Sequence, residues 1–186
     1  SIPDGIATVW DAQLMEDGIE AWERHAVWWQ KGFTGGVDPE YEQQILPLAE
    51  DLLTGCLKVV DIGAGEGQVA RRLAGCVREV VGLEPTVAQL TEAQSRGGTP
   101  IWAQGRAEGL PFATDSFDGA VGCLVFEHIL EFDVAIAEVA RVLRPGGRFV
   151  LFLNHPLLQT PGSGWIDDQI LDPPEQYWRI GPYLVE

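Results

Sequence analysis

The sequence predicts an α/β protein built on a doubly wound parallel sheet. Three observations lead there. Segments of strand character alternate with helical segments over residues 57–153, as right-handed strand–helix–strand crossovers require. An apolar run, 57–62, leads straight into Gly63, Gly65 and Gly67, and a second, 79–83, stops on the carboxylate Glu84. A third run, 117–125, is almost continuously apolar, which suits a strand covered on both faces.

Residues 11–30 read as a helix, with Trp22, His25, Ala26 and Trp29 at i, i+3, i+4 and i+7 on one face. Gly32, Gly35 and Gly36 mark a loop, and Pro39 opens a helix that runs to about Leu53 before Gly55. Strand one is 57–62. The helix over 68–74 puts Val69 and Leu73 on one face. Strand two is 79–83, and the helix over 86–95 is stopped by Gly97 and Gly98. A short third strand covers 101–103 and a fourth 117–125. Asp133 is a good N-cap for a helix ending near Leu143, before the turn residues Pro145, Gly146 and Gly147. Strand five is 147–153. Beyond Asn154 the chain is proline-rich and reads as irregular. Residues 1–55 thus form an amino-terminal helical region, 56–154 the core and 155–186 an irregular tail.

Composition bounds the function. The chain has 186 residues and a formal net charge of −16. Such a surface repels phosphate backbones, so nucleic acid is not an expected partner. Arg71-Arg72, the only adjacent basic pair, reads as a solvated helix face. No apolar run approaches the ~20 residues needed to span a bilayer, and no signal-peptide pattern opens the chain. Cys56, Cys76 and Cys123 are few and widely spaced, which fits neither a zinc site nor a disulfide framework. They read as reduced thiols of a cytoplasmic protein.

The strand–glycine loop–helix–strand–acid layout is one that holds an adenosine. Glycines let the backbone approach the ligand, and the acid accepts hydrogen bonds from ribose hydroxyls. The spacing argues against a dinucleotide: where G-x-G-x-x-G needs its third glycine this chain has Gln68, and the glycine falls one place early at Gly67. A phosphate-binding Walker loop is excluded because no Gly-Lys-Ser/Thr occurs.

Asp61-x-Gly63-x-Gly65-x-Gly67, with Glu84 ending the next strand, resembles the first two motifs of the class I S-adenosylmethionine-dependent methyltransferases. Residues 105–112, Gly-Arg-Ala-Glu-Gly-Leu-Pro-Phe, then Asp115-Ser116-Phe117-Asp118, resemble the third- and fourth-strand region of the ubiquinone/menaquinone-biosynthesis-like small-molecule group. Residues 143–149, Leu-Arg-Pro-Gly-Gly-Arg-Phe, resemble its turn before strand five. Four motifs in order over 57–153 make the resemblance specific. It implies a Rossmann-like sheet of strand order 3-2-1-4-5. It also implies S-adenosyl-L-methionine as cofactor, a small-molecule methyl acceptor, and a backbone loop of Gly63, Ala64, Gly65 and Gly67 lying against the cofactor's methionine part. Asp61 would brace that loop or reach the cofactor's amino group through water. Glu84 would accept from both ribose hydroxyls, at ~1.5–3 kcal/mol for each charge-assisted bond. Pro85 would offer adenine an apolar surface, with Ala107 and Glu108 in the segment whose backbone meets adenine. Arg106 departs from the family, which commonly has an acid there; arginine accepts no hydrogen bond. The Cys123 backbone, at the end of strand four, would touch the methionine part.

His128 and His155 follow strands four and five and are the candidate proton acceptors. Either can equally be a structural histidine, since methyl transfer needs no obligatory base. Trp22, Trp28, Trp29 and Phe33 read as packing residues, some of them a lid whose faces favour a sulfonium. Asp172-Pro173-Pro174-Glu175 has the look of a nucleic-acid amino-methyltransferase motif, but it stands in the wrong place and lacks the aromatic fourth residue. The family fold has strands six and seven, and nothing after Leu153 reads as either. The chain is therefore expected to be a piece of a longer protein or a short form. Strand five would be left with an open apolar edge that invites pairing with a second copy, a homodimer. The rival reading is a non-catalytic cofactor-binding or interaction protein of the same fold.

Overall fold

The computed structural model describes residues 18–155, 160–168, 170, 173 and 175–182. It divides into two units, Ser1–Phe152 and Leu153–Glu186. The first contains a parallel five-stranded sheet of order β3-β2-β1-β4-β5, as the resemblance implies. Its strands are β1 (Lys58–Ile62), β2 (Glu79–Glu84), β3 (Ile101–Gln104), β4 (Phe117–Cys123) and β5 (Leu143–Phe152). The helices are α1 (Gly18–Gly32), α2 (Leu46–Leu53), α3 (Gln68–Leu73), α4 (Val87–Arg96) and α5 (Phe132–Val142).

Strand alternation splits the core into two layers. Val59, Val80, Val121 and Val150 face α2 and α3, packing on Leu53, Val69 and Leu73. Val60, Ile62, Val81, Leu83 and Ala120 face the other way, toward Ala135, Val139 and Val142 of α5. β1 lies between β2 and β4 in register, Asp61 opposite Gly82 and Val121. The strand order reverses beside β1, and the crevice there opens at the carboxyl ends of β1, β2 and β4.

Several motif residues serve this frame. Asp118 accepts from the Leu57 and Lys58 N–H groups at 2.9 and 2.7 Å, fixing the start of β1 against β4. Arg141 donates to the carbonyls of Phe112 and Leu110, and Glu138 accepts from the Leu110 N–H, so the 105–112 segment is tied down to α5.

Four local expectations are corrected. The helical face of α1 buries Ala21 and Ala26 and half-buries Trp22 and Trp29, while His25 is exposed; residues 11–17 of the expected helix lie outside the described residues. The second helix opens at Pro39 as expected, but its next turn, Tyr41–Ile45, is a π-turn in which the Leu46 N–H reaches Tyr41 O. Pro47 follows, and having no N–H it cannot close the ordinary α-helical bond, so the turn before it widens. α5 begins one residue before Asp133, after Glu131, so Asp133 lies in the first turn; there its charge still favours the helix amino end. The turn at 145–147 is drawn into β5 as a bulge: pairing jumps from Phe117↔Leu143 to Gly119↔Arg148, with Gly146 at φ +82°.

The second unit corrects the reading of an irregular tail. β6 (Gly164–Asp168) and β7 (Glu175–Arg179) form an antiparallel hairpin with Trp165 opposite Trp178, their rings edge to face at 5.5 Å. This is a separate two-stranded sheet, so among the described residues β5 remains an edge of the five-stranded one. No helix of the described residues is long and apolar enough to cross a membrane.

Candidate active site

The site begins where β1 ends. The N–H groups of Gly63 and Ala64 both donate to Leu83 O, at 2.8 and 2.9 Å, so the loop is bolted to the end of β2. Glu84 completes the junction. Its Oε2 accepts from the Gly65 N–H at 2.8 Å, and its Oε1 from the Thr86 N–H and hydroxyl at 2.9 and 2.7 Å. Three donors fill three of the roughly four acceptor positions of a carboxylate. One position on Oε2 stays open, and a second opens if the Thr86 hydroxyl rotates. Glu84 is 5% exposed. Burial raises its pKa, against the lowering effect of the Thr86 and Gly65 donors.

Asp61, on β1 beneath the loop, is 1% exposed, and its Oδ2 has no hydrogen-bond partner. Burial pushes its pKa up to about 7; the Ala70 backbone opposes this, and the charges of Glu84 and Glu66 reinforce it. Glu66, also 1% exposed, is held through Oε2 by Arg71 and by Arg96 (2.9 Å), leaving Oε1 without a partner.

Above these groups lies a cleft of about 400 Å³, within the size range of small-molecule sites. Its lining includes Asp61, Gly63, Ala64, Gly65, Glu84, Pro85, Ala107, Glu108, Cys123 and His128. The far wall is aromatic. Trp22 meets Trp29 edge to face at 5.6 Å and the His128 ring at 5.2 Å, and Trp29 meets Tyr41 at 6.4 Å. The Cys123 thiol donates to the Tyr41 hydroxyl at 3.6 Å. Burial raises both, Cys123 to about 12, so neither is an anionic nucleophile at neutral pH. Burial lowers the His128 pKa, with Glu127 opposing, which leaves a neutral imidazole able to take a proton.

Comparison with known proteins agrees with this geometry. Residues 60–151 match a methyltransferase domain family. The ubiquinone/menaquinone biosynthesis C-methyltransferase of Rubrivivax gelatinosus is 37% identical over 93 residues, covering 50% of this chain and 37% of the relative. An uncharacterized methyltransferase of Bacillus subtilis, YcgJ, is 38% identical over 109 residues, 56% of this chain and 43% of its own. An S-adenosylmethionine-dependent methyltransferase of Mesorhizobium loti superposes with TM-score 0.62 at 27% identity, covering 75% of this chain and 65% of that one. The chain belongs to the class I S-adenosylmethionine-dependent methyltransferases. It spans about half the length, or less, of the curated relatives just described.

The residues fit the cofactor of this methyltransferase family, S-adenosylmethionine. An oriented acid with an open acceptor position suits ribose, and a partnerless buried Asp61 oxygen suits a donor such as an ammonium. A Cβ on Gly65 would meet nothing nearer than Gln89 Nε2 at 4.0 Å, so that glycine faces open space. Gly67 does not. It is absent from the cleft lining, and a Cβ there would strike the Trp102 indole at 2.1 Å. Its φ of +88° and the indole of β3 by themselves require the glycine. Gly63 lines the cleft and is also crowded by Val125, whose side chain would stand 2.3 Å from a Cβ there. Arg106 turns to Glu108 at 3.2 Å, so it takes no acceptor's place. His155 is exposed, lies in the second unit and is not among the lining residues.

Sequence reasoning missed Tyr41, Glu66 and Gln89. Tyr41 reaches the cleft from the π-turn, which periodicity does not announce. Glu66 looks like a solvated loop acid until Arg71 and Arg96 are seen to close on it. Arg71 is correspondingly no solvated helix residue, and Arg72 pairs with Glu50.

Proposed function

We propose that S-adenosylmethionine binds in this cleft, and that the protein transfers its methyl group to a small-molecule acceptor. Glu84 carries the reading. It is a buried acid ending β2, aimed by Gly65 and Thr86, with an acceptor position to spare. Its open position takes a ribose hydroxyl, and rotation of the Thr86 hydroxyl provides for the second. Asp61 serves the methionine end, Gly63, Ala64 and Gly65 lie along it, and the Cys123 backbone borders it. Pro85, Ala107 and Glu108 line the adenine end.

When bound, the cofactor supplies an activated methyl group for in-line attack by the acceptor. The chain's part is to position the two reactants and exclude water. The amino-terminal helical region supplies Trp22, Trp29 and Tyr41 as the wall opposite the loop. Neutral His128 lines the cleft as an auxiliary proton acceptor on which the transfer does not depend. The charge of −16, with Arg71 and Arg72 engaged by acids, supports a small molecule over a nucleic acid. Three free cysteines suit the cytoplasm, and the edge at β5 suits pairing with a second copy.

Calorimetric titration with S-adenosylhomocysteine, beside NADH, tests the reading on this chain and on any longer natural form. Saturable binding of the first and none of the second is expected. Binding of NADH alone, or of neither, overturns it. Cofactor binding with no transfer to a broad acceptor panel would favour a non-catalytic role.

A further inference from the structure

α1 is joined to α4 at three points. Glu23 Oε1 accepts from the Ala88 N–H at 2.9 Å, capping the amino end of α4. Arg96, at the other end of α4, donates to the Thr34 hydroxyl at 2.9 Å, and Thr34 in turn donates to Gln30 O at 2.8 Å. Between them the Gln30 amide donates from Nε2 to Gln89 Oε1 at 2.9 Å. Only this middle contact involves the floor of the cleft. Gln89 is 4% exposed and lines the cleft, while Gln30 does not line it.

The geometry of Gln89 is unusual for a buried amide. One end is fixed by Gln30. The other, Nε2, stands 4.0 Å from where a Gly65 side chain would begin, over the one loop glycine that faces open space. The same Gly65 gives its N–H to Glu84. The amide nitrogen therefore overlooks the place where Glu84 and the loop meet, and no protein group among the described residues accepts from it. Gln89 lines the cleft, so this donor opens onto it and is available to a ligand.

We propose that Gln89 is a ligand-binding residue, donating from Nε2 to an oxygen of the adenosine cofactor held at Glu84, and that Gln30 is the positioning residue that sets its orientation. The inference rests on the cofactor reading above. A carboxamide has a donor end and an acceptor end. Gln30, by donating to Oε1, fixes which end meets the ligand. Because Gln30 sits on α1, seating of the ligand and docking of α1 become one equilibrium, each favouring the other to the same degree. α1 carries Trp22, Trp28 and Trp29, so the coupling has an optical readout.

The test titrates S-adenosylhomocysteine into the wild-type chain and into Gln89→Met, Gln30→Met and Gln30→Glu, following heat and tryptophan fluorescence. Gln89→Met should weaken binding ~5- to 10-fold, the loss of one hydrogen bond. Gln30→Met should weaken it ~3-fold and shrink the fluorescence change. Gln30→Glu is the sharper variant. A carboxylate only accepts, so it takes Nε2 for itself and turns the oxygen of Gln89 toward the ligand. Binding should then fall as far as in Gln89→Met, although residue 30 touches no ligand. In the Gln89→Met background both Gln30 substitutions should have no further effect. Wild-type affinity in Gln89→Met overturns the contact. Full additivity of the Gln30 and Gln89 effects overturns the relay while leaving the cofactor reading intact. A wild-type chain that binds no S-adenosylhomocysteine removes the cofactor reading itself, a result no variant comparison can mimic.

Discussion

At the loop end of the cleft, Gly65, Glu84 and Thr86 lie within one strand–helix–strand unit, and their polar atoms are already committed to one another. At the opposite end, Trp22, Tyr41, Cys123 and His128 arrive from four separate segments, and their contacts with one another include ring edges and one thiol–phenol bond. The first end is a fixed corner whose geometry exists before any ligand arrives. The second is a packed wall whose shape depends on how α1 and the π-turn sit on the sheet. Preorganisation of the first kind lowers the cost of binding a constant ligand, whereas a wall of aromatic edges can be recut for different acceptors without disturbing the corner.

The largest expected effect strikes the corner through Asp61. Its folded pKa of about 7 lies above the ordinary ~3.9 of an unfolded aspartate. Between those values the folded chain holds a proton that the unfolded chain has lost, so stability falls as pH rises through that window. At ~1.4 kcal/mol per unit this is on the order of 4 kcal/mol for the ligand-free protein. Glu84, also raised, adds in the same direction. Asp61→Asn should flatten the decline, read as urea midpoints at pH 5 and pH 8. An unchanged slope would mean that Asp61 is hydrated or paired in solution.

Gly65→Val comes next. It should abolish S-adenosylhomocysteine binding, by ~100-fold or more, because the side chain fills the space over the loop. The positive φ of +55° adds a folding cost of ~1–2 kcal/mol. A folded variant that binds normally would break the assignment of this end to the cofactor.

Glu84→Ala should weaken binding ~10-fold or more through loss of the ribose bonds. Calorimetry showing unchanged affinity would remove the ribose role. The smallest effect is expected at the wall: His128→Ala should leave cofactor affinity unchanged and lower transfer less than ~10-fold. A drop of ~10² or more would make His128 a general base and the wall a catalytic element.

The same division explains what the sequence disclosed. Spacing from Asp61 to Glu84 marks the corner because every partner there is near in the chain. Strand–helix alternation announces a parallel sheet for the same reason, and the family resemblance supplies its strand order. The wall is silent in sequence: Tyr41 depends on a helix widened at Pro47, and the phase of α1 turned His25 outward where periodicity placed it inward. The hairpin at β6 and β7 was hidden because its strands are five residues each and neither buries a side chain fully, so neither carries an apolar run that announces a strand. Asp118 looks like a motif residue of a site, yet it acts, as Arg141 does, as a tie-rod of the frame.

Gly67 has a consequence for how such chains are recognised. Its neighbour is the Trp102 indole, which also lies against Gly82 of the adjacent strand. The residue types at 67, 82 and 102 are thus bound into one steric constraint across β2 and β3. A chain in which position 102 is smaller, as in Trp102→Leu, releases position 67 from the indole and leaves only the far end of the Arg71 side chain, at 3.0 Å, to give way; asparagine tolerates the left-handed backbone that remains. Gly67→Asn made together with Trp102→Leu would leave the ligand-facing surface of Gly65 untouched. Such a descendant would carry a working pocket under a broken signature, invisible to any search keyed to three glycines.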